Sequence, residues 1–283
     1  MKTEFQDLDI PKDVQKKLVK LEEILGKAGS AAVAFSGGVD STLLAQVAHA
    51  VLGDHMMAIT QTDAAVPARE LSEATEFCES RGIRHAICFF HPLALKEYRL
   101  NGRDRCYYCK RGIFTTISRM AKENGMAMVC EGSNMDDCGD YRPGMRAVEE
   151  LGVRSPLREA GLYKKEIRLL SKAMGLGTWD KPAYACLATR VAYGEEITEE
   201  KLHRIEMAEQ FLIERGFRQE RVRLHGNMAR IEVPPEDIPR LMAAENREEI
   251  CEAFREFGFD YAAVDLQGYR MGSMNAMLHH RSG

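Results

Sequence analysis

Ser36, Gly37, Gly38, Val39, Asp40, Ser41 and Thr42 stand where an apolar run, 31–35, gives way to a helical pattern carrying Leu43, Leu44, Val47 and Ala48. Gly37 and Gly38 lack Cβ, so the backbone can turn sharply there and approach a bound group closely. The first N–H groups of a helix have no intrahelical partner and lie at the positive end of its dipole. Strand, glycine turn and helix start together form a cradle that suits a phosphate. An ordinary strand–turn–helix with Asp40 as N-cap would use the same residue types. No lysine follows the glycines, so this is not the Walker A loop, whose lysine reaches the terminal phosphates.

Thiols form the second constellation. Cys106 and Cys109, in Cys-Tyr-Tyr-Cys, follow an apolar run at 85–90. Two thiolates at this spacing reach one metal ion or cluster, or form a redox pair. A second CxxC is absent, which weakens a closed four-cysteine zinc site. Cys186 lies in a loop that Pro182 keeps from being continuous helix. Three thiolates would hold a 4Fe–4S cluster and leave one iron without a protein ligand, open to an exogenous sulfide. Cys78, Cys88, Cys130 and Cys251 fall in helical or strand patterns and read as buried small hydrophobes.

Other chemistry-bearing residues are less specific. Cys138 shares a loop with Asn134, Asp136, Asp137 and Asp140, beyond the apolar run 126–130, and reads either as a fourth ligand or as a loop residue. Asp137 is a candidate Mg²⁺ ligand, because that ion takes one or two carboxylates plus phosphate oxygens. Acid-rich loops are also commonly just solvated. Arg99, Arg103, Arg105, Lys110 and Arg111 flank the CxxC, and such a charge favours thiolate and attracts an anion. Arg221 and Arg223 sit two apart in a strand pattern, so they share a face and suit a phosphate or carboxylate, or a surface salt bridge.

Strands alternating with helices must position these groups. A helix over 11–28 precedes strands at 31–35, 56–60, 85–90, 126–130 and 153–157, with helical patterns at 67–81, 110–124 and 163–174. That order predicts an α/β fold, a doubly wound parallel five-stranded sheet covered on both faces. Ligands in such sheets bind beyond the carboxyl ends of the strands, so the segments after Phe35, Thr60, Phe90 and Cys130 are expected to converge. The pattern changes after 190. A helix over 197–215 starts at Thr198, strands at 221–225 and 228–233 flank Gly226-Asn227, and a further helix and short strand follow. The expected division is therefore 1–190 as a domain carrying the phosphate cradle and the CxxC, and 191–283 as a smaller α+β domain for substrate binding or assembly.

Composition sets the limits. At 283 residues, with 45% hydrophobic and 29% charged residues, the chain is an ordinary globular protein of one or two domains. Its net charge of -4 argues against a surface built to wrap nucleic acid. No apolar run approaches the roughly 20 residues of a membrane span. The N-terminal residues lack an apolar signal core, so the eight cysteines are expected to be reduced, in the cytoplasm.

Ser36 to Ser41 resembles the PP-loop of the adenine-nucleotide α-hydrolases, which split ATP between the α and β phosphates to adenylate an acceptor. The chain as a whole resembles the LarE family of ATP-dependent sulfur transferases, which help build the nickel-pincer cofactor of lactate racemase. The likeness rests on residues 36–42, 101–110, 132–137 and 140–144, on Lys181-Pro182 with 186–190, on Tyr193-Gly194, Arg221 and Arg223, 229–233 and 265–275. It implies adenylation of the carboxylates of pyridinium-3,5-biscarboxylic acid mononucleotide by ATP with Mg²⁺, followed by sulfur attack and loss of AMP. It further implies that Ser36–Thr42 bind ATP, that Arg221 and Arg223 bind the substrate phosphate, and that Asp137 and Glu232 are candidates for metal or active-site duty. Members of one type sacrifice the sulfur of the cysteine matched by Cys186. Those of another carry three cysteines and a 4Fe–4S cluster, and Cys106, Cys109 and Cys186 place this chain with them. Sulfide or another sulfur donor is then a partner, and a homo-oligomer, a hexamer being one form, assembles through the region after 190. A PP-loop tRNA thiolase, an amidating ligase and a nucleotide-regulated metal-binding module are the competing readings.

Overall fold

A computed structural model describes residues 5, 8–137, 143–183, 185–270 and 272–275. In chain order the elements begin with α1 (Lys12–Ala28), β1 (Ala31–Ala34), α2 (Val39–Leu52), β2 (Met56–Thr62), α3 (Ala68–Ser80) and β3 (His85–Phe89). They continue with α4 (Lys96–Arg99), α5 (Arg105–Glu123), β4 (Met128–Cys130), α6 (Pro143–Glu150), α7 (Pro156–Glu159) and α8 (Lys164–Ala173). The last are α9 (Glu199–Glu214), β5 (Arg221–His225), β6 (Met228–Glu232), α10 (Ile238–Leu241), α11 (Ala244–Glu256) and β7 (Tyr261–Val264). They fall into two compact units, Met1–Phe90 with Cys106–Tyr184, and His91–Arg105 with Ala185–Gly283.

The first unit is built on a parallel sheet ordered β3-β2-β1-β4. Alternate residues of β1 feed opposite cores, as the two-residue period of a strand requires. Ala31 and Val33 join Leu18, Leu21, Leu43 and Leu44 on the α1/α2 side. Ala32 joins Met57, Ile59, Phe114 and Ile117 on the α5 side. Burial on both faces is why these strands read as unbroken apolar runs. The strand order reverses between β1 and β4, the switch point at which doubly wound sheets open a crevice.

The α/β class stands, with four strands among the described residues in place of the five expected. The run at 153–157 contributes one parallel bridge, Cys130 to Arg154, before Pro156 opens α7. Proline has no N–H to give a ladder and is pre-set for a helix start. Helix α5 begins at Arg105 rather than near 110, which puts the CxxC on its first turn. Tyr107, Phe114, Ile117 and Ala121 are all buried, and their spacing forms one helical face.

In the second unit Thr198 caps α9, its hydroxyl accepting the Lys201 N–H at 3.2 Å. β5 and β6 form the expected antiparallel hairpin around Gly226, and β7 adds parallel to β6. Helix α9 packs on β5 and α11 on β7. Residues 91–105 belong to this unit although they precede it by some 80 positions of chain (roughly half the length of a typical domain). Asn101 anchors them: fully buried, at φ +53°, it donates to the Val191 and Ala192 carbonyls at 3.3 and 2.8 Å. Asparagine tolerates that left-handed backbone better than most side chains. No helix of the described residues is long and apolar enough to cross a membrane.

Candidate functional site

The loop after β1 is held open by its own serines. Ser41 Oγ lies 3.1 Å from Ser36 Oγ, accepts the Ser36 N–H and donates to the Gly38 carbonyl at 3.2 Å. Gly37 sits at φ +66°, a conformation that L side chains rarely adopt. Gly38, not Asp40, is the N-cap of α2, and no side chain caps that end. The helix start is thus left for an incoming anion. Thr42 is completely buried, with its Oγ1 lacking a hydrogen-bond partner.

The loop after β4 closes on this cradle. A Cβ added at Gly132 would lie 3.0 Å from the Ser41 nitrogen and 3.3 Å from the Asp40 Cβ, so a side chain there would crowd the loops where they meet. Buried Glu131 fixes the approach by accepting the Ser155 hydroxyl at 2.5 Å and the Ser133 hydroxyl at 2.7 Å. Asn134 then donates to Asp40 Oδ1 at 3.3 Å. Asp137 accepts the Asn134 N–H at 2.9 Å, and Asp136 accepts the Lys164 N–H at 2.6 Å, which ties the loop to the start of α8.

Two lysines reach the same loop from far along the chain. Lys164 Nζ binds Asp40 Oδ2 at 2.5 Å. Lys181 Nζ donates to the Gly37 carbonyl at 3.1 Å and to Glu73 at 2.6 Å. Arg168 of α8 holds the Lys181 carbonyl at 2.9 Å and the Trp179 carbonyl at 2.6 Å.

Cys106 and Cys109 lie three apart on α5, hence on one helical face, and are half-buried. Cys186 is exposed at the start of a single 3₁₀ turn, Leu187–Arg190, in the second unit. Its carbonyl accepts the Thr189 hydroxyl at 2.9 Å and the Arg190 guanidinium at 3.2 Å. Arg190 is fully buried against Glu209, with two hydrogen bonds of 2.9 Å. Burial opposes its charge, but Glu209 outweighs that and raises the Arg190 pKa. Glu209, also penalised by burial, is held below the usual carboxylate range by Arg190.

Arg221 and Arg223 are both buried on one face of β5. Burial and the neighbouring Arg190 charge lower the Arg221 pKa, and its guanidinium lies 5.2 Å from the Tyr269 ring centre. Arg223 donates to Glu232 at 2.8 Å, and Glu232 also meets Arg230 at 3.2 Å and the Ser273 hydroxyl at 2.8 Å. Burial and Arg230 lower the pKa of His225, whose Nε2 accepts from Arg230 Nε at 3.2 Å.

No protein-family model matches the chain. It is 42% identical over 265 residues to an uncharacterised protein of Synechocystis, covering 94% of this chain and 99% of that one. It is 34% identical over 247 residues to the pyridinium-3,5-bisthiocarboxylic acid mononucleotide synthase of Lactiplantibacillus plantarum, covering 87% and 89% of the two chains. That synthase represents the family which the motifs resemble. The chain belongs to the LarE family. A subunit of glutamine-hydrolysing GMP synthase from Methanococcus maripaludis is 29% identical over 187 residues, 60% of this chain and 58% of that one.

Within this LarE-family chain, residues 36–42 and the loop after β4 meet at the switch point, as the strand pattern predicts. The segment after β3 instead belongs to the second unit. Arg99 pairs there with Glu196 at 3.3 Å, and buried Arg105 is held by Asn101 and lies 4.8 Å from the Tyr193 ring centre, so the basic stretch around the CxxC is divided. Among the described residues no three His, Cys, Asp or Glu side chains gather to hold a metal ion. The oxygen-rich loop around Asp40 suits Mg²⁺, whereas the three thiols are divided between the two units, Cys106 and Cys109 in the first and Cys186 in the second. Glu232, with two arginines on it, is engaged as an ion-pair partner. Cys78, Cys88 and Cys130 are buried, and burial pushes the Cys78 thiol up to about 12 and raises the other two. Cys251 is a correction: it faces solvent, because Ile250, Ala253 and Phe254 take the buried face of α11. Cys138 and Asp140 lie outside the described residues. Lys164 and Glu209 carry no local signal that sequence reading could have used, whereas Lys181, Arg190 and Gly132 stand in the motif strings without a role of their own being assigned there.

Proposed function

We propose that this chain is an ATP-dependent sulfur transferase that converts the carboxylates of pyridinium-3,5-biscarboxylic acid mononucleotide to thiocarboxylates in nickel-pincer cofactor biosynthesis. The observation that carries the reading is the serine-braced glycine cradle at the switch point of a LarE-family sheet. A carboxylate resists nucleophiles until one oxygen becomes part of a good leaving group. Residues 36–42 would hold the ATP phosphates in line, so that a substrate carboxylate oxygen bonds to the α-phosphorus and pyrophosphate leaves. Sulfur then attacks the acyl carbon, AMP departs, and a thiocarboxylate remains. Mg²⁺, when bound with ATP, neutralises phosphate charge beside Asp40. Arg221 and Arg223 would take the phosphate of the substrate nucleotide, with Glu232 orienting Arg223.

Cys106, Cys109 and Cys186 are the thiols that would hold a 4Fe–4S cluster. Such a cluster, when bound, supplies an iron open to exogenous sulfide. The placing of Cys106 and Cys109 on one face of α5 supports the paired part of this reading. Buried Arg190 fixes the backbone at Cys186 and so limits where its sulfur can go. Exposed Tyr261 and Leu266, in and beyond the edge strand β7, support self-association through the region after 190. Conversion of ATP to AMP that requires the biscarboxylate nucleotide tests the activity. Anaerobic reconstitution with iron and sulfide tests the thiols: a cluster spectrum lost in Cys106→Ala, Cys109→Ala and Cys186→Ala agrees. No cluster, with Cys186 losing its sulfur once per turnover, would assign the sacrificial route instead.

A further inference from the structure

The phosphate cradle lacks the lysine that follows the glycines in a Walker loop, yet two ammonium groups stand on it. Lys164 lies 124 positions from Asp40 and Lys181 lies 144 positions from Gly37, and neither belongs to the loop's own sequence. Both are delivered by fixed backbone. Lys164 is the first residue of α8, its N–H bound by Asp136, and the Met135 N–H meets the Leu162 carbonyl at 2.9 Å. Lys181 follows a turn whose carbonyls are held by Arg168, and its side chain is 14% exposed. The Lys164 side chain is 30% exposed, so its ammonium can leave Asp40 without unfolding anything.

The charge arithmetic argues that these amines serve a ligand. Asp40 at the second position of α2 places a negative charge where a polyphosphate would arrive, and Lys164 cancels it. A backbone carbonyl, Gly37 O, needs no ammonium for stability, and Lys181 could be satisfied by Glu73 and water. An ammonium 3.1 Å from the carbonyl of the loop's positive-φ glycine stands within one side-chain rotation of any group in the cradle. Buried Thr42, with its free Oγ1, lies in the same loop.

We propose that Lys164 and Lys181 together replace the missing Walker lysine and bind the β and γ phosphates of ATP. This deepens the ATP reading above and rests on it. As the substrate carboxylate oxygen bonds to the α-phosphorus, the bond from that phosphorus to the bridging oxygen breaks and its electron pair goes to pyrophosphate. Both ammonium groups gain a stronger partner as that charge develops, which is how a preorganised donor lowers a barrier.

The full-length wild type and the variants Lys164→Met, Lys181→Met, Lys164→Arg and Lys181→Arg would be compared in binding of ATP·Mg²⁺, inorganic pyrophosphate and AMP, and in turnover of ATP·Mg²⁺ with pyridinium-3,5-biscarboxylic acid mononucleotide. Each methionine variant is expected to lower kcat for AMP formation about 100-fold, in line with loss of one preorganised donor, and to weaken pyrophosphate binding roughly tenfold. AMP lacks the β and γ phosphates, so its affinity should change less than about twofold, and arginine should restore most of the pyrophosphate binding. Equal loss of AMP and pyrophosphate binding would mark the lysines as structural and overturn the proposal. So would methionine variants that match an active wild type. A wild type that binds no ATP·Mg²⁺ would sink the ATP reading itself, and this assignment with it.

Discussion

Arg190 and Glu209 carry opposite charges into the protein interior, where each depends on the other. Removing one strands its partner, so Arg190→Ala is expected to cost about 3–5 kcal/mol in denaturant titration. A loss below 1 kcal/mol would mean the pair is not buried as described. Acid should act on the same contact. The Glu209 pKa is lower folded than unfolded, so its contribution is complete above the unfolded value of about 4.3 and disappears as pH falls through the folded value. Glu209→Gln should therefore flatten the acid limb of the stability profile below about pH 4, and an unchanged limb would contradict the pairing. Which residues were legible follows from how they act. Ser36 to Thr42 work through their own backbone, so their types and spacing are visible in one string. Lys164 and Lys181 act at the tips of long side chains brought in by distant elements; Lys181 stands in a motif string, but no local pattern places either ammonium on the glycine loop. Cys251 misled because a helical pattern buries Ile250, and the next residue is turned about 100° away.

Element boundaries depend on single residues. Pro156 stops the expected fifth strand after one bridge, although the apolar residues around it read as strand. Helix α5 starts five residues before the helical pattern at 110–124, because 105–109 hold charged and aromatic side chains and only tertiary burial of Tyr107 reveals the continuing face. The turn at Gly37 was readable because its conformation excludes most other residues. Gly37→Ala places a Cβ 3.4 Å from Ala74 Cβ, an ordinary contact, so its penalty comes from the backbone at φ +66°. That costs about 1–2 kcal/mol, and calorimetry should find ATP·Mg²⁺ affinity reduced at least roughly tenfold. Unchanged affinity would argue that the loop does not hold the phosphates in this shape.

At the scale of the molecule, the two units interleave along the chain. Residues 91–105 leave the sheet unit after β3 and join 185–283, held by Asn101 and by the Arg99 carbonyl, which accepts the Ile197 N–H at 2.8 Å. A split at 190 follows the change of pattern but misses this, because 91–105 has no strand or long helix to announce a change of partner. A fragment of residues 1–190 should be cut by trypsin within 91–105 while the intact chain resists there; equal resistance would contradict the assignment. The central claim is that one chain couples an ATP-phosphate cradle to sulfur delivery onto an activated carboxylate. Its most direct test is mass spectrometry of products and intact protein after incubation with ATP, Mg²⁺ and pyridinium-3,5-biscarboxylic acid mononucleotide, with and without sulfide. The account predicts AMP formation only with the nucleotide present, and sulfur in place of a carboxylate oxygen when sulfide is supplied, with Cys186 unchanged. AMP formed without that substrate, or a product free of sulfur under every condition, would contradict it.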